Sequence, residues 1–368
     1  MWMGPPVRDS SSDRPTSKLS CDDDPTGGLE PKTADPYTPR SLLSGSSARG
    51  RLSSRGFWRQ WLFMSSLAVK DIFGFKVIAP LGTGAASMVF AVQDPADKQI
   101  YALKHVVKNS ERDQRFLDQV ELEFEIGSKL SHPNIRTLHR IHRTKKFFKV
   151  VEVALTMELL DAPTLDKALP KTMDEAAGMF AQIARGLAHM HDKGFCHADM
   201  KPINVMITTG GTVKIIDLGQ ACPLGTVKKR IQGTPGYLAP EQAHRQEVNG
   251  QTDIYNLGAT MYWVLVGDTI PTAIPSKADP KALGGEFTPV AVKPPTPPSA
   301  RNASIHPMLS DLILECVQVR PADRPASMQL VAQRLEDLRT LFAAQPDGVR
   351  LDTRGWGSSE SSRGSWER

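Results

Sequence analysis

The stretch FCHADMKPINVM, from Phe195 to Met206, decides which fold the sequence predicts. It places Asp199, Lys201 and Asn204 in one loop, between a helix-like segment ending HMHDKG and a hairpin-like segment, VMITTGGTVKIIDLG, that leads to Asp217. A carboxylate to orient a hydroxyl, a lysine beside a phosphate, and an amide with a second carboxylate for Mg²⁺ are the groups that phosphoryl transfer requires. The loop and its surroundings therefore predict a phosphoryl-transfer site.

Two weaker signals precede this loop. The segment LGTGAASMVF, Leu81 to Phe90, carries Gly82 and Gly84 in a predicted hairpin, where the lack of a Cβ lets the backbone lie close to phosphates. The segment YALK then puts Lys104 in an apolar strand, and Glu123 in the next helix is a partner that would offset the cost of burying its charge. Taken singly, the first signal also fits a glycine hairpin without a ligand, and the second a solvent-facing lysine.

Further motifs follow in order, and together they resemble the protein kinase superfamily over about residues 72–341. The matching elements are GTGAASMV, YALK, Glu123 nine residues before the histidine of HPNI, HADMKPIN, DLG at Asp217 to Gly219, GTPGYLAPE at Gly233 to Glu241, Asp253 in TDIYNLG and Arg324 in RPADRP. An ordered series of this kind is far more specific than any one of its members.

The resemblance implies a bilobal α+β fold. The N-terminal lobe, residues 72–160, would be a small antiparallel β-sheet with one main helix, which agrees with alternating β-branched segments followed by the helical spacing of RDQRFLDQVELEFEIGSKL. The larger C-terminal lobe, residues 161–341, would be mainly α-helical, with a proline-rich surface loop between Asp268 and Ser304.

The two ends of the chain have a different composition. Residues 1–63 and 345–368 are rich in small, proline and charged residues without a sustained apolar period, and we expect both to be disordered tails. Strand-like sequence begins soon after Met64, so translation from this internal methionine is a hypothesis that an N-terminal peptide upstream of it would exclude.

The resemblance also implies catalytic and metal-binding roles. Asp199 would accept or orient the proton of the substrate hydroxyl, and Lys201 would steady the γ-phosphate. Asn204 and Asp217 would hold Mg²⁺, for which Mn²⁺ is a substitute.

ATP is the nucleotide that the resemblance implies. Lys104, paired with Glu123, would bind its α- and β-phosphates. The other expected contacts come from the glycine hairpin, the two faces of the adenine pocket, the gatekeeper and the hinge: Leu81, Gly82, Thr83, Gly84, Ala85, Ala86, Ser87, Val89, Ala102, Met157, Glu158, Leu160 and Met206.

Two motifs resemble those of the serine/threonine branch of the superfamily. They are the lysine of DMKPIN and the threonine of GTPGYLAPE, Thr234, which would help to shape the pocket for the acceptor residue. The expected partners are therefore protein substrates with serine or threonine acceptors. The compact segment GATMYWVLVGDTIP and the short hinge look like those of bacterial members.

Four residues depart from the family's pattern. Ser87 stands at the third glycine position of the hairpin and Leu218 at the phenylalanine of DFG, and both preserve the character of the site. Gly127, one turn after Glu123, replaces a bulky apolar residue, which should loosen the helix or leave room for a neighbouring side chain.

Ala198 is the fourth departure, because an arginine usually precedes the catalytic aspartate. That arginine is the main partner of a phosphate on the activation loop, and without it the phosphate has less to bind. Activity should therefore depend little on phosphorylation of this loop, whose candidate acceptor is Thr226, beside Lys228, Lys229 and Arg230.

Two other functions remain as alternatives. Ala198, Ser87 and Gly127 would also suit a pseudokinase, a scaffold that binds nucleotide or partners without catalysis, although all four principal catalytic positions are retained. The same fold also phosphorylates small molecules, but the intact GTPGYLAPE segment favours a peptide substrate.

Some motif residues are expected to be structural. The resemblance implies that Asp253 anchors the backbone of the catalytic loop and that Arg324 pairs with Glu241. Cys196 and Cys222 are interpreted as small buried apolar residues, with sensing of oxidation as the alternative. His197 is expected to be packed and bonded to the backbone.

The composition sets limits on partners and location. Hydrophobic residues make up 40% and charged residues 23%, as in ordinary globular proteins. The net charge of +5 is not gathered into one basic run, so nucleic-acid binding is not expected. Four widely spaced cysteines indicate a reducing, cytoplasmic location, and no segment is predicted to cross a membrane, although residues 57–63 could make a weak peripheral contact. The sequence does not indicate an oligomeric state.

Overall fold

The computed structural model describes residues 70–84, 86–271, 294–345 and 350–352. Several predictions concern residues outside these ranges: the N-terminal tail 1–63 with the membrane contact at 57–63, the start at Met64, the hairpin residue Ala85, most of the proline-rich loop, and the C-terminal tail beyond residue 352. No helix within the described ranges is long and apolar enough to span a bilayer.

The N-terminal lobe is built on a six-stranded antiparallel sheet in the order β1-β2-β3-β4-β6-β5. One face covers a small apolar cluster that includes Phe75, Phe90 and Leu103, and the opposite face packs on a helix. The predicted antiparallel sheet is therefore confirmed. The strands are Asp71–Ile72 (β1), Phe75–Thr83 (β2), Met88–Gln93 (β3), Ile100–Val107 (β4), Leu138–Lys146 (β5) and Lys149–Met157 (β6).

Helix α1, Gln114–Gly127, is the predicted main helix of this lobe. Its buried residues include Leu117, Val120 and Glu123, which recur every three residues and so lie on one face of the helix. The pattern places a carboxylate among apolar side chains, where a charge is costly unless it is paired. Glu123 therefore requires a cationic partner, which is Lys104 on β4 of the sheet.

The C-terminal lobe is mainly helical, as predicted. Helix α2 begins where the Thr172 side chain accepts a hydrogen bond from the backbone N–H of Glu175, and α4 ends at Gly267 with φ of 77°. Helix α4 is buried on nearly all sides and α7 packs along α2. The helices are Met173–Asp192 (α2), Pro240–Ala243 (α3), Gly250–Val266 (α4), Pro298–Arg301 (α5), Pro307–Cys316 (α6) and Met328–Ala343 (α7).

Short strands connect these helices around the predicted catalytic loop. The hairpin expected after the loop is present, and two further pairs flank it: β7 with β10, and β11 with β12. The strands are Phe195–Cys196 (β7), Val205–Ile207 (β8), Val213–Ile215 (β9), Cys222–Pro223 (β10), Thr226–Val227 (β11) and Glu247–Val248 (β12).

Residues 350–352, which the sequence assigns to the C-terminal tail, lie against the helical lobe. Arg350 forms a β-bridge with Thr172, and the Leu351 N–H donates to the Lys171 carbonyl at 2.9 Å. The Asp352 N–H bonds to the Ser304 hydroxyl at 3.0 Å. This short segment therefore has backbone partners that its composition does not indicate.

The predicted pair between Arg324 and Glu241 is confirmed. The guanidinium group donates to both carboxylate oxygens, at 2.8 and 2.9 Å, and to the Gln251 carbonyl at 2.7 Å. The Arg324 side chain is fully buried and lies over the Tyr255 ring at 4.9 Å. Arg324 thus ties α3, which contains Glu241, and the start of α4 to the segment that precedes α7.

Replacement of Arg324 by alanine should lower the free energy of unfolding by about 3–5 kcal/mol, because it leaves the Glu241 carboxylate buried without its partner. Urea denaturation followed by tryptophan fluorescence measures the change. The control is Arg320→Ala, whose pair with Asp323 is mostly exposed and should contribute little. Equal losses in the two variants would contradict a special role for the buried pair.

Candidate active site

The backbone of the catalytic loop is fixed by one buried carboxylate at the first turn of α4. Asp253 accepts hydrogen bonds from the backbone N–H groups of His197 at 2.8 Å and Ala198 at 2.7 Å, and its Oδ2 lies 2.8 Å from His191 Nε2. Burial would raise the pKa of Asp253, but His191, together with His197 and its backbone N–H, outweighs burial and the pKa is lowered. The predicted anchoring role is confirmed.

Ala198 adopts a backbone conformation that most residues avoid. Its φ is 60°, in the left-handed region, which costs an ordinary residue about 1–2 kcal/mol. Asp253 binds its N–H, and Gln242 Nε2 donates to its carbonyl at 2.8 Å. The surroundings thus hold the chain in a turn that brings the next residue, Asp199, into the cleft.

The Asp199 carboxylate is oriented by two donors. Lys201 Nζ lies 2.8 Å from Oδ2, and the Thr234 hydroxyl donates to Oδ1 at 3.0 Å. Lys201 also donates to the Thr234 oxygen at 2.7 Å, so the three side chains form a closed triangle. His197 accepts the Asp199 N–H through Nδ1 at 3.2 Å, which agrees with the packed, backbone-bonded histidine that was expected.

Asn204 and Asp217 meet at the same place. The side-chain Nδ2 of Asn204 donates to the backbone carbonyl of Asp199 at 2.9 Å, and the backbone carbonyl of Asn204 accepts the Ile216 N–H at 3.0 Å. The strand leading to Asp217 is thereby tied to the catalytic loop. The Asp217 side chain is 47% exposed and accepts the Gly219 N–H at 3.0 Å.

Lys104 links the two lobes. Its ammonium group lies 2.6 Å from the Glu123 carboxylate and 3.9 Å from Asp217 Oδ1. Burial would lower the pKa of Lys104, but Glu123 and Asp217 outweigh burial and raise it. For Asp217, burial is in turn outweighed by Lys104 and the Gly219 N–H, which lower its pKa. The predicted pairing of Lys104 with Glu123 is confirmed, and both Lys104 and Asp217 are ionised at neutral pH.

The sequence profile described as protein kinase domain matches residues 75–335. This chain belongs to the protein kinase family. The match covers both lobes and all of the residues just described, and it agrees with the bilobal fold.

Similar proteins include serine/threonine-protein kinases and a protein named Aurora kinase. The chain is 32% identical to an Aurora kinase of Candida glabrata over 230 residues, which are 61% of this chain and 63% of that protein. It is 28% identical to the serine/threonine-protein kinase PknB of Mycolicibacterium smegmatis over 74% of this chain and 44% of that protein. It is 26% identical to the serine/threonine-protein kinase pkn3 of Myxococcus xanthus over 79% of this chain and 53% of that protein. The kinase thus spans about half the length of these relatives.

The glycine hairpin of the kinase connects β2 and β3. Gly82 pairs with Val89, and the Gly84 N–H donates to the Ser87 carbonyl at 2.7 Å. A Cβ on Gly84 would lie 2.7 Å from the Ser87 hydroxyl, whereas one on Gly82 would meet no protein atom within 4 Å. A side chain at Gly84 would displace the Ser87 hydroxyl, whereas the protein's own packing gives no reason for a glycine at position 82.

The expected adenine-pocket residues lie on neighbouring strands. Ala102 on β4 is fully buried and stands opposite Met157, the last residue of β6, in the antiparallel ladder. Val89 on β3 packs on the main core, and Met206 lies on β8 in the other lobe. The two lobes thus present apolar side chains from β3 and β4 on one side and from β8 on the other.

Arg136 is a residue of this region that the motifs do not indicate. Its Nε donates to the carbonyl of Glu158, the first hinge residue, at 2.8 Å. Burial lowers the pKa of Arg136, while Glu123, Glu158 and Asp217 act in the opposite direction. The only signal in the sequence is a cation directly after HPNI.

Gly127 makes room for a neighbouring side chain, which is one of the two outcomes expected for it. A Cβ at this position would collide with the Leu138 side chain and lie 3.2 Å from Leu218 Cδ1. Leu138 from β5 therefore fills the space, and Leu218 of the DLG motif packs beside it. The helix that carries Glu123 is supported by this contact from the sheet.

Replacement of Asp253 by asparagine should lower the free energy of unfolding by about 1.5–3 kcal/mol at pH 7, because it removes the charge from bonds to two N–H groups. The lowered pKa of Asp253 means that its stabilisation is present above the unfolded-state pKa of about 4 and is lost as the pH falls through the folded-state value. The stability difference between wild type and Asp253→Asn should therefore shrink on acidification below about pH 4.

Urea denaturation at a series of pH values tests this expectation. The control is Asp192→Asn at the exposed end of α2, where the carboxylate accepts a bond from Gln329. A difference for Asp253→Asn that stays constant from neutral pH to acid would show that the charge is not responsible.

Proposed function

We propose that this chain is a serine/threonine protein kinase that transfers the γ-phosphate of ATP to hydroxyl groups of protein substrates. The observation that carries the proposal is the orientation of the Asp199 carboxylate by Lys201 and Thr234, at the mouth of a cleft in which Lys104 is paired with Glu123. Phosphoryl transfer depends on positioned charges, and these groups have the required signs.

The nucleotide would lie between the lobes. Lys104 remains charged and faces Asp217, so it can bind phosphate oxygens while Glu123 holds it in place. A Cβ on Gly82 would meet no protein atom within 4 Å, and close approach of a phosphate is a reason for a glycine there that packing does not supply.

The adenine ring would be held by apolar contacts and the hinge. Val89, Ala102 and Met206 would cover its faces, with Met157 at the back. The Glu158 carbonyl already accepts a bond from Arg136 and has one lone pair left for a base, so the Leu160 backbone would carry much of the recognition.

The chemistry of Asn204 and Asp217 fits Mg²⁺. The side-chain Nδ2 of Asn204 donates to the Asp199 carbonyl, which leaves the side-chain Oδ1 of Asn204 as a ligand. Asp217 is an ionised, half-exposed carboxylate. Within the described ranges no group of three or more His, Cys, Asp or Glu residues could enclose a metal. Mg²⁺ is usually held by one or two carboxylates together with substrate phosphates, and Asp217 would supply one such carboxylate. When bound, the ion neutralises phosphate charge during transfer.

Asp199 would act on the acceptor hydroxyl. Its two oxygens are fixed by Lys201 and Thr234, so the carboxylate can orient the hydroxyl and accept its proton. Lys201 would also steady the γ-phosphate. The contact between Thr234 and Asp199 supports serine or threonine as acceptor, as do the serine/threonine kinases to which the chain is similar.

Two observations around the activation segment bear on the role of its phosphorylation. Ala198 is fully buried and offers no cation to bind one, and Thr226 donates its hydroxyl to the Pro223 carbonyl at 2.6 Å within a β-turn region. We therefore propose activity that depends little on phosphorylation at this position.

Asp199→Asn should lower kcat by about 10²–10⁴, because the carboxylate that accepts the proton is lost. The assay uses purified protein, labelled ATP, a basic protein acceptor, and Mg²⁺ or Mn²⁺. The control is Asp337→Asn on the exposed face of α7, which should leave kcat unchanged. A pseudokinase would show no transfer above background in wild type at any concentration of either metal.

Thr226→Ala should retain activity within about tenfold of wild type, because the arginine that would bind a phosphate at this position is replaced by Ala198. Thr234→Ala is the comparison variant and should lose activity clearly, since Asp199 loses one of its two donors. The proposal would be contradicted if Thr226→Ala lost as much activity as Thr234→Ala and if phosphate mapped to Thr226 in the wild-type protein.

A further inference from the structure

Two buried cysteines face each other where the catalytic loop meets the activation segment. Cys196 on β7 and Cys222 on β10 stand directly opposite in an antiparallel pair of strands. Their sulfur atoms are 3.5 Å apart, and their residues are 0% and 5% exposed. Phosphoryl transfer as proposed above uses neither thiol.

The pair belongs to a small apolar cluster of its own. Cys196, Ala198, Cys222 and Val248 form a group separate from the main core of the lobe. Cys196 is three residues before Asp199, and Cys222 is five residues after Asp217. A change at this pair therefore acts between the catalytic loop and the segment that follows the DLG motif.

The backbone geometry suits a cross-link. Directly opposed residues of antiparallel strands have Cα atoms about 4.5–5.5 Å apart, within the range of about 4.4–6.8 Å found for disulfides. The register is fixed by the Leu224 N–H, which donates to the Gly194 carbonyl at 2.9 Å. The sulfur atoms need to approach by only about 1.5 Å to reach bonding distance.

The two thiols also differ in reactivity. The hydrogen bond from Cys196 and the nearby Lys228 ammonium lower the pKa of Cys222 to about 7, against the opposing effect of burial. The same bond and burial raise the pKa of Cys196. Lys228 is held near by a bond to the Gln220 carbonyl at 2.6 Å. Cys222 is thus the thiolate that reacts first, and Cys196 is the thiol positioned to resolve it.

We propose that Cys196 and Cys222 are a redox modification site, at which a small peroxide converts the thiol pair into a reversible disulfide. The Cys222 thiolate attacks one oxygen of hydrogen peroxide, the O–O bond breaks, and a sulfenic acid forms as hydroxide leaves and takes up a proton to become water. The Cys196 sulfur then attacks the Cys222 sulfur, which releases a second water. The two thiols lose two electrons and the peroxide gains them.

The bond would fasten the activation segment to the catalytic loop. It would close a ring that contains Asp199, Asn204 and Asp217, through residues 26 apart in sequence. Because position 198 is an alanine, it has no cationic side chain that could bind a phosphate and so link the same two segments. The disulfide would provide a covalent tether in its place.

Peptide mapping of the full-length protein tests the proposal without reference to kinase activity. Cys21 lies outside the described residues and is replaced by serine to leave only the pair and Cys316. After treatment with hydrogen peroxide and alkylation of free thiols, trypsin should release Gly194–Lys214 joined to Ile215–Lys228 by a disulfide. Dithiothreitol should separate the two peptides. Hydrogen–deuterium exchange of the β10–β11 amides should slow several-fold in the oxidised protein and recover on reduction.

The control is Cys316→Ser, which removes a buried cysteine on α6 and should leave the cross-link intact. Cys196→Ala and Cys222→Ala should each abolish it. Any one of three outcomes would overturn the proposal. They are full alkylation of both thiols after peroxide treatment, sulfinic acid at Cys222 without the linked peptides, and a disulfide between either residue and Cys316. Since the readout is mass and exchange, loss of kinase activity would not affect it, and a linked pair in an inactive protein would still support it.

Discussion

The Asp253 carboxylate is the group on which the geometry of the site depends. It lies fully buried at the start of α4 and holds two consecutive N–H groups of the catalytic loop. Those two bonds, with the Gln242 bond to the Ala198 carbonyl, maintain a left-handed turn at a residue other than glycine. The turn aims Asp199 into the cleft. A rigid buried helix thus determines the position of a side chain that a free loop would not hold.

The charges of the cleft are balanced in pairs. Lys104 is held by Glu123 and faces Asp217, while Lys201 is held by Asp199 and Thr234. Each ammonium group is therefore held in place by protein groups, and the proposed binding of phosphates would need little reorganisation. Arg136 adds a further cation at the hinge, where its Nε donates to the Glu158 carbonyl and occupies one of that oxygen's two lone pairs.

The sequence predicted the parts of this site that depend on residue type and spacing. The pairs of Lys104 with Glu123 and of Arg324 with Glu241 follow from motif positions, because a buried charge in this fold requires its opposite. The contact between Gly127 and Leu138 could not be predicted, since it depends on which side chain of β5 enters the space. The role of Arg136 and the approach of Cys196 to Cys222 likewise depend on strand register and rotamers, which one sequence does not fix.

Ala198 and the cysteine pair belong to one apolar cluster. An arginine there would need an anion beside it, but Ala198 lies in an apolar cluster whose other members come from β7, β10 and β12. In this kinase the start of the activation segment is therefore held by burial and by backbone pairing rather than by charge. Apolar contacts do not respond to a phosphate, whereas a pair of thiols 3.5 Å apart responds to an oxidant. Under the two proposals made above, Ala198 offers no cation to a phosphate, and the cysteine pair in the same cluster offers a site for an oxidant.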